Sequence, residues 1–144
     1  MMRVKVGAWK TMLEHARRAY PLECCGGLLG SFSEGTKVVE EIIPWTNAHP
    51  GEQRFHYAVL SEDLVAAEKV AWTKGLKFLG IYHSHPDCNA DFSVADLKNC
   101  CPWHSFVIVS IRKGEFTHAN CWLPNPQRSS AEKEELVLPV LAHE

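Results

Sequence analysis

Phe78-Leu79-Gly80-Ile81-Tyr82-His83-Ser84-His85-Pro86 passes without a break from an apolar run into two histidines one residue apart. A short continuous apolar run bounded by turn residues suits a buried central strand. Side chains two apart on a strand share a face, so His83 and His85 send both imidazoles the same way at the strand's end. Two neutral imidazole nitrogens can then reach one ion at about 2.0–2.1 Å.

Pro86 is not expected to continue a central strand, and the loop from Asp87 to Phe92 returns the chain to Ser93-Val94-Ala95-Asp96. Ser93 fits a helix N-cap, and Asp96, three residues on, shares its helix face. A third ligand and a neighbouring hydroxyl are thereby placed near the imidazoles. Two imidazoles and one carboxylate leave a fourth tetrahedral position for water, the arrangement of a catalytic rather than a structural zinc site, and zinc lowers the pKa of that water to about 7. Taken singly, each feature is ordinary: a strand-end histidine pair makes a polar edge, Ser93 with Asp96 makes a capping box, and Glu23 is a solvated charge.

Working outward, apolar residues at spacings of three and four from Ala8 to Tyr20 predict an amphipathic helix that Pro21 ends. Leu28 to Phe32 and Lys37 to Ile43, joined by a Glu34-Gly35 turn, predict a hairpin. Trp45 to Arg54 is a loop, and Phe55-His56-Tyr57 allows a short strand. Ser61-Glu62-Asp63 supplies an N-cap and acidic first turn for a helix closed by Lys74-Gly75. A further helix from Ser93 to about Cys100 and strands at Ser105 to Ile111 and Phe116 to Leu123 complete the core. Past Pro124-Asn125-Pro126, the spacing Ser129-x-x-Glu132 predicts a C-terminal helix over about residues 129–138. The elements mix without regular alternation, so the expected fold is one α+β or α/β domain over residues 1–144, its core at about 3–124, with a mixed sheet and flanking helices.

Composition supports one ordinary domain. Of 144 residues, 46% are hydrophobic, and 15 Lys+Arg nearly balance 17 Asp+Glu. That balance, with no basic cluster, argues against nucleic-acid or anionic-membrane binding. Arg3 and Lys5 are not followed by the apolar core of a secretion signal, and no apolar run approaches the roughly 20 residues that span a bilayer, so a cytoplasmic protein is expected. Cys24-Cys25 and Cys100-Cys101 are adjacent pairs, read with the other cysteines as reduced, and no Cys-x2-Cys spacing offers a zinc site.

The joint spacing His-x-His-x7-Ser-x-x-Asp after a buried strand, with Glu23 near an earlier helix-to-strand junction, resembles the JAMM (MPN-plus, Mov34-like) zinc metallopeptidase family of prokaryotic type. The resemblance rests on Tyr20-Pro21-Leu22-Glu23-Cys24-Cys25-Gly26-Gly27-Leu28-Leu29-Gly30 and on Gly80 through His85-Pro86 to Ser93 and Asp96. It implies a mixed, curved sheet flanked by helices in a cytidine-deaminase-like architecture. It also implies one Zn²⁺ held by His83, His85 and Asp96, Glu23 as general base toward zinc-bound water, and the Ser93 hydroxyl beside the oxyanion. The implied reaction is hydrolysis of a peptide or isopeptide bond at the C-terminus of a ubiquitin-like or sulfur-carrier protein.

The loop Asp87-Cys88-Asn89-Ala90-Asp91-Phe92 departs from the proline-containing loop common in bacterial relatives, which bears on its shape and not on the ligands. Cys88 stands three residues from His85 and reads either as a plain loop cysteine or as a thiol able to approach the metal. Cys24, Cys25, Cys100, Cys101 and Cys121 read as small core residues; His15, His104 and His118 read as packing or surface residues. The five tryptophans are expected in the core, with Trp45 and Trp103 also placed to line a groove. The chain is too short for the long insertions of linkage-specific deubiquitinases, so a small-protein tail is the expected partner, docking beside an exposed sheet edge. A zinc deaminase needs His-x-Glu and Pro-Cys-x-x-Cys, and neither occurs. The remaining alternative is a noncatalytic MPN-type interaction scaffold.

Overall fold

Short apolar strands punctuated by turns, and helices with one apolar stripe, must bury those surfaces against each other. The computed structural model describes residues 1–141; residues 142–144, the end of the domain expected over 1–144, lie outside the described residues. In chain order the elements are β1 (Met2–Val4), α1 (Val6–Ala19), β2 (Cys25–Ser33), β3 (Thr36–Trp45), α2 (Ser61–Thr73), β4 (Lys77–Pro86), α3 (Val94–Asn99), β5 (Ser105–Arg112), β6 (Glu115–Pro124), β7 (Ala131–Glu134) and β8 (Leu136–Val137).

All the strands join one mixed sheet in the order β7-β6-β5-β4-β2-β3-β1-β8. β4 runs parallel to β5, and β1 runs parallel to both β3 and β8. β7 and β8 lie at opposite ends of that order, yet only Glu135 separates them in sequence. The sheet therefore curls until its two edges nearly meet, and the Met2 N–H donates to the Glu135 carbonyl at 2.7 Å. Bulges at Glu40 in β3 and Leu79 in β4, both opposite the Leu28 to Gly30 stretch of β2, and at Thr117 in β6 opposite Ser110/Ile111 supply local bend and twist. A side chain at Gly80 would collide with the Ser105 carbonyl, so β4 and β5 can approach there only through glycine.

Glu134 closes the seam. Its carboxylate accepts from Lys37 Nζ at 3.1 Å and from Ser105 Oγ at 2.8 Å, and it faces the N-terminal ammonium at 3.5 Å.

One face of the sheet is covered by α1, whose Ala8, Trp9, Met12, Leu13 and Ala16 are buried as the spacing predicts. Each large apolar side chain so buried contributes roughly 1.5–3 kcal/mol. Tyr82, Leu28, Val107 and Val109 meet that helix from the sheet. The other face carries a second core of Cys25, Trp45, Ala67, Ile81, Cys100 and Phe106 under α2. Among the described residues no helix is long and apolar enough to cross a membrane.

Several expectations are corrected. The C-terminal helix over 129–138 is replaced by β7 and β8, because pairing the open edges of β6 and β1 satisfies backbone groups that a short helix would leave bare. Ser129 and Ser130 instead serve a turn closed by the Asn125 side chain. Ser61 is not the N-cap of α2; Leu60 occupies that position with no side-chain cap bond. Phe55 to Tyr57 form no strand, β4 continues through Pro86 at its last position, and β1 was too short for periodicity to signal. Trp72 and Trp103 are 86% and 77% exposed rather than in the core. Cys101 is only half-buried, while Cys24, Cys25, Cys100 and Cys121 are buried; all six cysteines are free.

Candidate metal centre

The ladder between β2 and β4 positions the site. Cys25 pairs with His83, so the odd-numbered residues Ile81, His83 and His85 share a face with Cys25 and, beyond the strand, Glu23. Cys24 and Ser84 fall on the opposite face, where the buried Ser84 Oγ accepts from the Cys24 N–H at 2.9 Å. Ser84 is thus a strap between two strands and not part of the cluster. Glu23 is fixed by the loop that follows β3: its N–H donates to the Gln53 carbonyl at 2.7 Å, and its carbonyl accepts from Asn47 Nδ2 at 3.1 Å.

Four side chains meet here. Glu23, His83 and His85 offer ligand atoms within 4.8 Å of one another, a set able to hold a metal ion. His83 Nε2 and His85 Nε2 are 3.2 Å apart, and Asp96 faces them with Oδ1 at 3.3 Å and Oδ2 at 3.4 Å respectively. All four are nearly sealed from solvent.

Asp96 is held by the start of α3. Ser93 caps that helix, its Oγ accepting from the Asp96 N–H at 3.0 Å while Asp96 Oδ2 accepts from the Ser93 N–H at 2.9 Å. The expected capping box and the expected site carboxylate are therefore one object. Because the Ser93 oxygen is used as an acceptor, its hydroxyl proton stays free to donate into the neighbouring cleft.

His85 Nδ1 lies 2.8 Å from the Asn89 carbonyl, which can only accept. The ring's proton therefore sits on Nδ1 in the neutral form and the Nε2 lone pair faces the cluster. His83 is oriented differently: the Tyr57 ring stacks on it at 4.4 Å, and its Nδ1 has no hydrogen-bond partner among the described residues.

Burial dominates the electrostatics. It pushes the Glu23 carboxyl up to about 8, with the Asp96 charge adding to the rise and His85 opposing it. Asp96 is buried too, but once the imidazoles carry a second proton, the charge of His83 and hydrogen bonds from both rings join the Ser93 backbone in holding it ionised, well below the usual range. His83 is lowered by its burial, only partly offset by Asp96. His85 is raised: the burial penalty is outweighed by Asp96 and the Asn89 carbonyl. Two neighbouring carboxyls thus differ in proton affinity, which is the arrangement that separates a ligand from a base.

A cleft of about 650 Å³ opens beside Glu23, His85 and Ser93, with Arg54, Phe55 and Val94 at its rim. A second cavity of about 760 Å³ lies past Tyr57, lined by Trp103, His104 and Cys100. Trp45 packs in the second core and, as expected of it, also lines a small pocket beside Glu23 and Asn47. Cys88 is exposed at the first cleft. Sequence reading missed Tyr57, Asn47, Gln53 and the Asn89 carbonyl, since a stacking ring and two backbone-binding amides carry no spacing that marks them.

Residues 5–123 match the family of prokaryotic homologues of the JAB domain. The solution structure of a protein from Desulfitobacterium hafniense superposes with a TM-score of 0.83 at 26% identity, over 99% of this chain and 96% of that one. The solution structure of a Salinibacter ruber protein gives 0.72 at 34% identity, over 96% and 92%. The crystal structure of a JAB1/MPN domain protein from Archaeoglobus fulgidus gives 0.60 at 24% identity, over 96% and 98%, a likeness that bears on fold alone. No curated protein matches by sequence.

Proposed function

The chain belongs to the family of prokaryotic JAB-domain homologues, and from that premise we propose that it is a zinc metallopeptidase. It hydrolyses a peptide or isopeptide bond at the C-terminal tail of a ubiquitin-like or sulfur-carrier protein in the reducing cytoplasm. The observation that carries the reading is the convergence of one carboxylate on two imidazoles: His83 Nε2 and His85 Nε2 are 3.2 Å apart, and Asp96 turns one oxygen to each, Oδ1 at 3.3 Å from His83 and Oδ2 at 3.4 Å from His85. Corners of a tetrahedron with bonds of about 2.0 Å lie about 3.3 Å apart, so this donor set fits zinc.

His83, His85 and Asp96 would hold the ion, and Glu23 would stand beside it. Asp96 is the better third ligand because it is held ionised, whereas Glu23 exchanges its proton close to neutral pH. When bound, zinc supplies a Lewis acid that polarises the scissile carbonyl and makes water acidic enough to lose a proton near pH 7. Glu23 accepts that proton and delivers it to the departing amine. The Ser93 hydroxyl donates toward the oxygen on which negative charge develops. The cleft beside these groups accommodates an extended tail of small residues, and free thiols at all six cysteines suit a reducing compartment.

The test is incubation of zinc-loaded protein with small ubiquitin-like and sulfur-carrier proteins bearing C-terminal extensions, read by intact mass. Mass loss with wild type and none with Glu23→Gln supports the reading. No zinc uptake and no mass loss with any tail sinks it in favour of the noncatalytic scaffold.

A further inference from the structure

Asn89 contributes to the centre only through its carbonyl, which sits in a loop between β4 and α3. A loop carbonyl can orient an imidazole only if the loop is itself held. The two peptide groups flanking Asn89 are both held, by one continuous chain of side chains. The Ala90 N–H donates to His118 Nε2 at 3.1 Å, and the Cys88 carbonyl accepts from Ser110 Oγ at 2.6 Å. Between them, His118 Nδ1 lies 3.0 Å from Thr117 Oγ1, which lies 3.0 Å from Ser110 Oγ.

Donor and acceptor counting sets the direction of this chain. An amide N–H only donates, so His118 Nε2 accepts and the neutral ring carries its proton on Nδ1. That proton goes to Thr117 Oγ1, the Thr117 hydroxyl donates to Ser110 Oγ, and the Ser110 hydroxyl donates to the Cys88 carbonyl. Every member is satisfied; the Thr117 hydroxyl also has the Ser110 carbonyl at 3.4 Å, a longer alternative to Ser110 Oγ at 3.0 Å. Ser110 and His118 face each other in the ladder of β5 and β6, so the clasp is built on paired strands. The Ala90 carbonyl is fixed as well, by Trp122 Nε1 at 2.9 Å and Asn120 Nδ2 at 3.1 Å.

We propose that His118, acting through Thr117 and Ser110, is a positioning residue that locks the Asn89 carbonyl onto His85 Nδ1 and so keeps the His85 Nε2 lone pair turned to the metal centre. The inference rests on the reading of His85 as a ligand. Trp122, Asn120 and the Arg112 bond to the Asn89 side chain still hold the loop, but without the clasp the Asn89–Ala90 peptide loses the bond to its N–H and can rotate, the proton can move to Nε2, and that nitrogen then cannot bind a metal until it is cleared.

The experiment reads the metal-free full chain first, by long-range proton–nitrogen correlation of the labelled imidazoles, and then measures zinc affinity by competition with a chromophoric chelator. Wild type shows His85 protonated on Nδ1. Thr117→Val, an isosteric change at an exposed position, and His118→Leu both mix the His85 tautomers and weaken zinc binding about 10–100-fold, as loss of an outer partner does. His118→Gln, whose amide can accept from Ala90 and donate to Thr117, keeps the tautomer and the affinity. If His85 stays on Nδ1 with unchanged affinity in both Thr117→Val and His118→Leu, the proposal is overturned, whatever their melting temperatures. If wild type binds no zinc yet the His85 tautomer responds to both changes, the metallopeptidase reading fails and the clasp stands.

Discussion

Cys25 and His83 stand opposite one another in the antiparallel ladder of β2 and β4, and that register brings Glu23 alongside His85. A slip of one residue in β2 would turn Glu23 toward α1 and leave His83 and His85 facing the centre without it, since alternate residues change face. The candidate metal centre is therefore a consequence of strand pairing before it is a consequence of any loop.

Asp96→Asn removes the charge but keeps an oxygen able to accept from the Ser93 N–H, so α3 stays capped. Zinc affinity should fall by more than the roughly 10–100-fold expected of an outer partner, with unfolding in urea nearly unchanged. Chelator competition checks this, and unchanged affinity would leave Glu23 as the third donor instead.

Ser93→Ala removes both the cap and the free hydroxyl. Stability should drop by about 1 kcal/mol, and kcat by roughly 10²–10³-fold with KM little altered, as for loss of one oxyanion donor. Ser93→Thr should recover both. A variant that loses stability but keeps full kcat would confine Ser93 to capping.

Glu134 predicts an acid limb. Burial alone would raise its pKa, but hydrogen bonds from Ser105 and Lys37 and the charges of Lys37 and the N-terminus outweigh it, so the folded value is depressed. Its contribution is present above the unfolded carboxylate value of about 4.3 and is lost as pH falls through the lower folded one. Urea midpoints between pH 7 and pH 3 should fall more steeply on acidification for wild type than for Glu134→Gln. Parallel curves would refute the depressed pKa.

Gly80→Ala should cost at least about 2 kcal/mol or abolish folding, because the new methyl meets the Ser105 backbone, which cannot yield without opening β4 from β5. Gly7→Ala, where nothing lies within 4 Å, should be neutral or stabilising by up to about 1 kcal/mol. Thermal melts of the pair decide; equal melting temperatures would mean that the sheet relaxes at Gly80.

An extended tail was expected to add to an open sheet edge. β2 and β4, the strands that carry the candidate centre, are paired on both sides, and the cleft rimmed by Arg54, Phe55 and Val94 opens beside Glu23.

The sequence by itself determined the local chemistry. Alternation put His83 and His85 on one strand face, and Ser93 with Asp96 announced a capped helix start, because both depend on spacings of two or three residues. It also determined α1, whose apolar stripe is local. Tertiary structure alone decided the rest. Ser129 and Glu132 carry a sound helix signal, but the unpaired edges of β6 and β1 drew that segment into strands. β7 returns on β6 as a near neighbour in sequence, but the β1 edge that takes up Leu136 and Val137 lies more than a hundred positions away, a demand that no local rule weighs. Likewise His118 meets the Ala90 N–H, and Tyr57 stacks on His83, only when the curled sheet and the loop after β3 bring them together, and such proximity leaves no periodic trace in the chain.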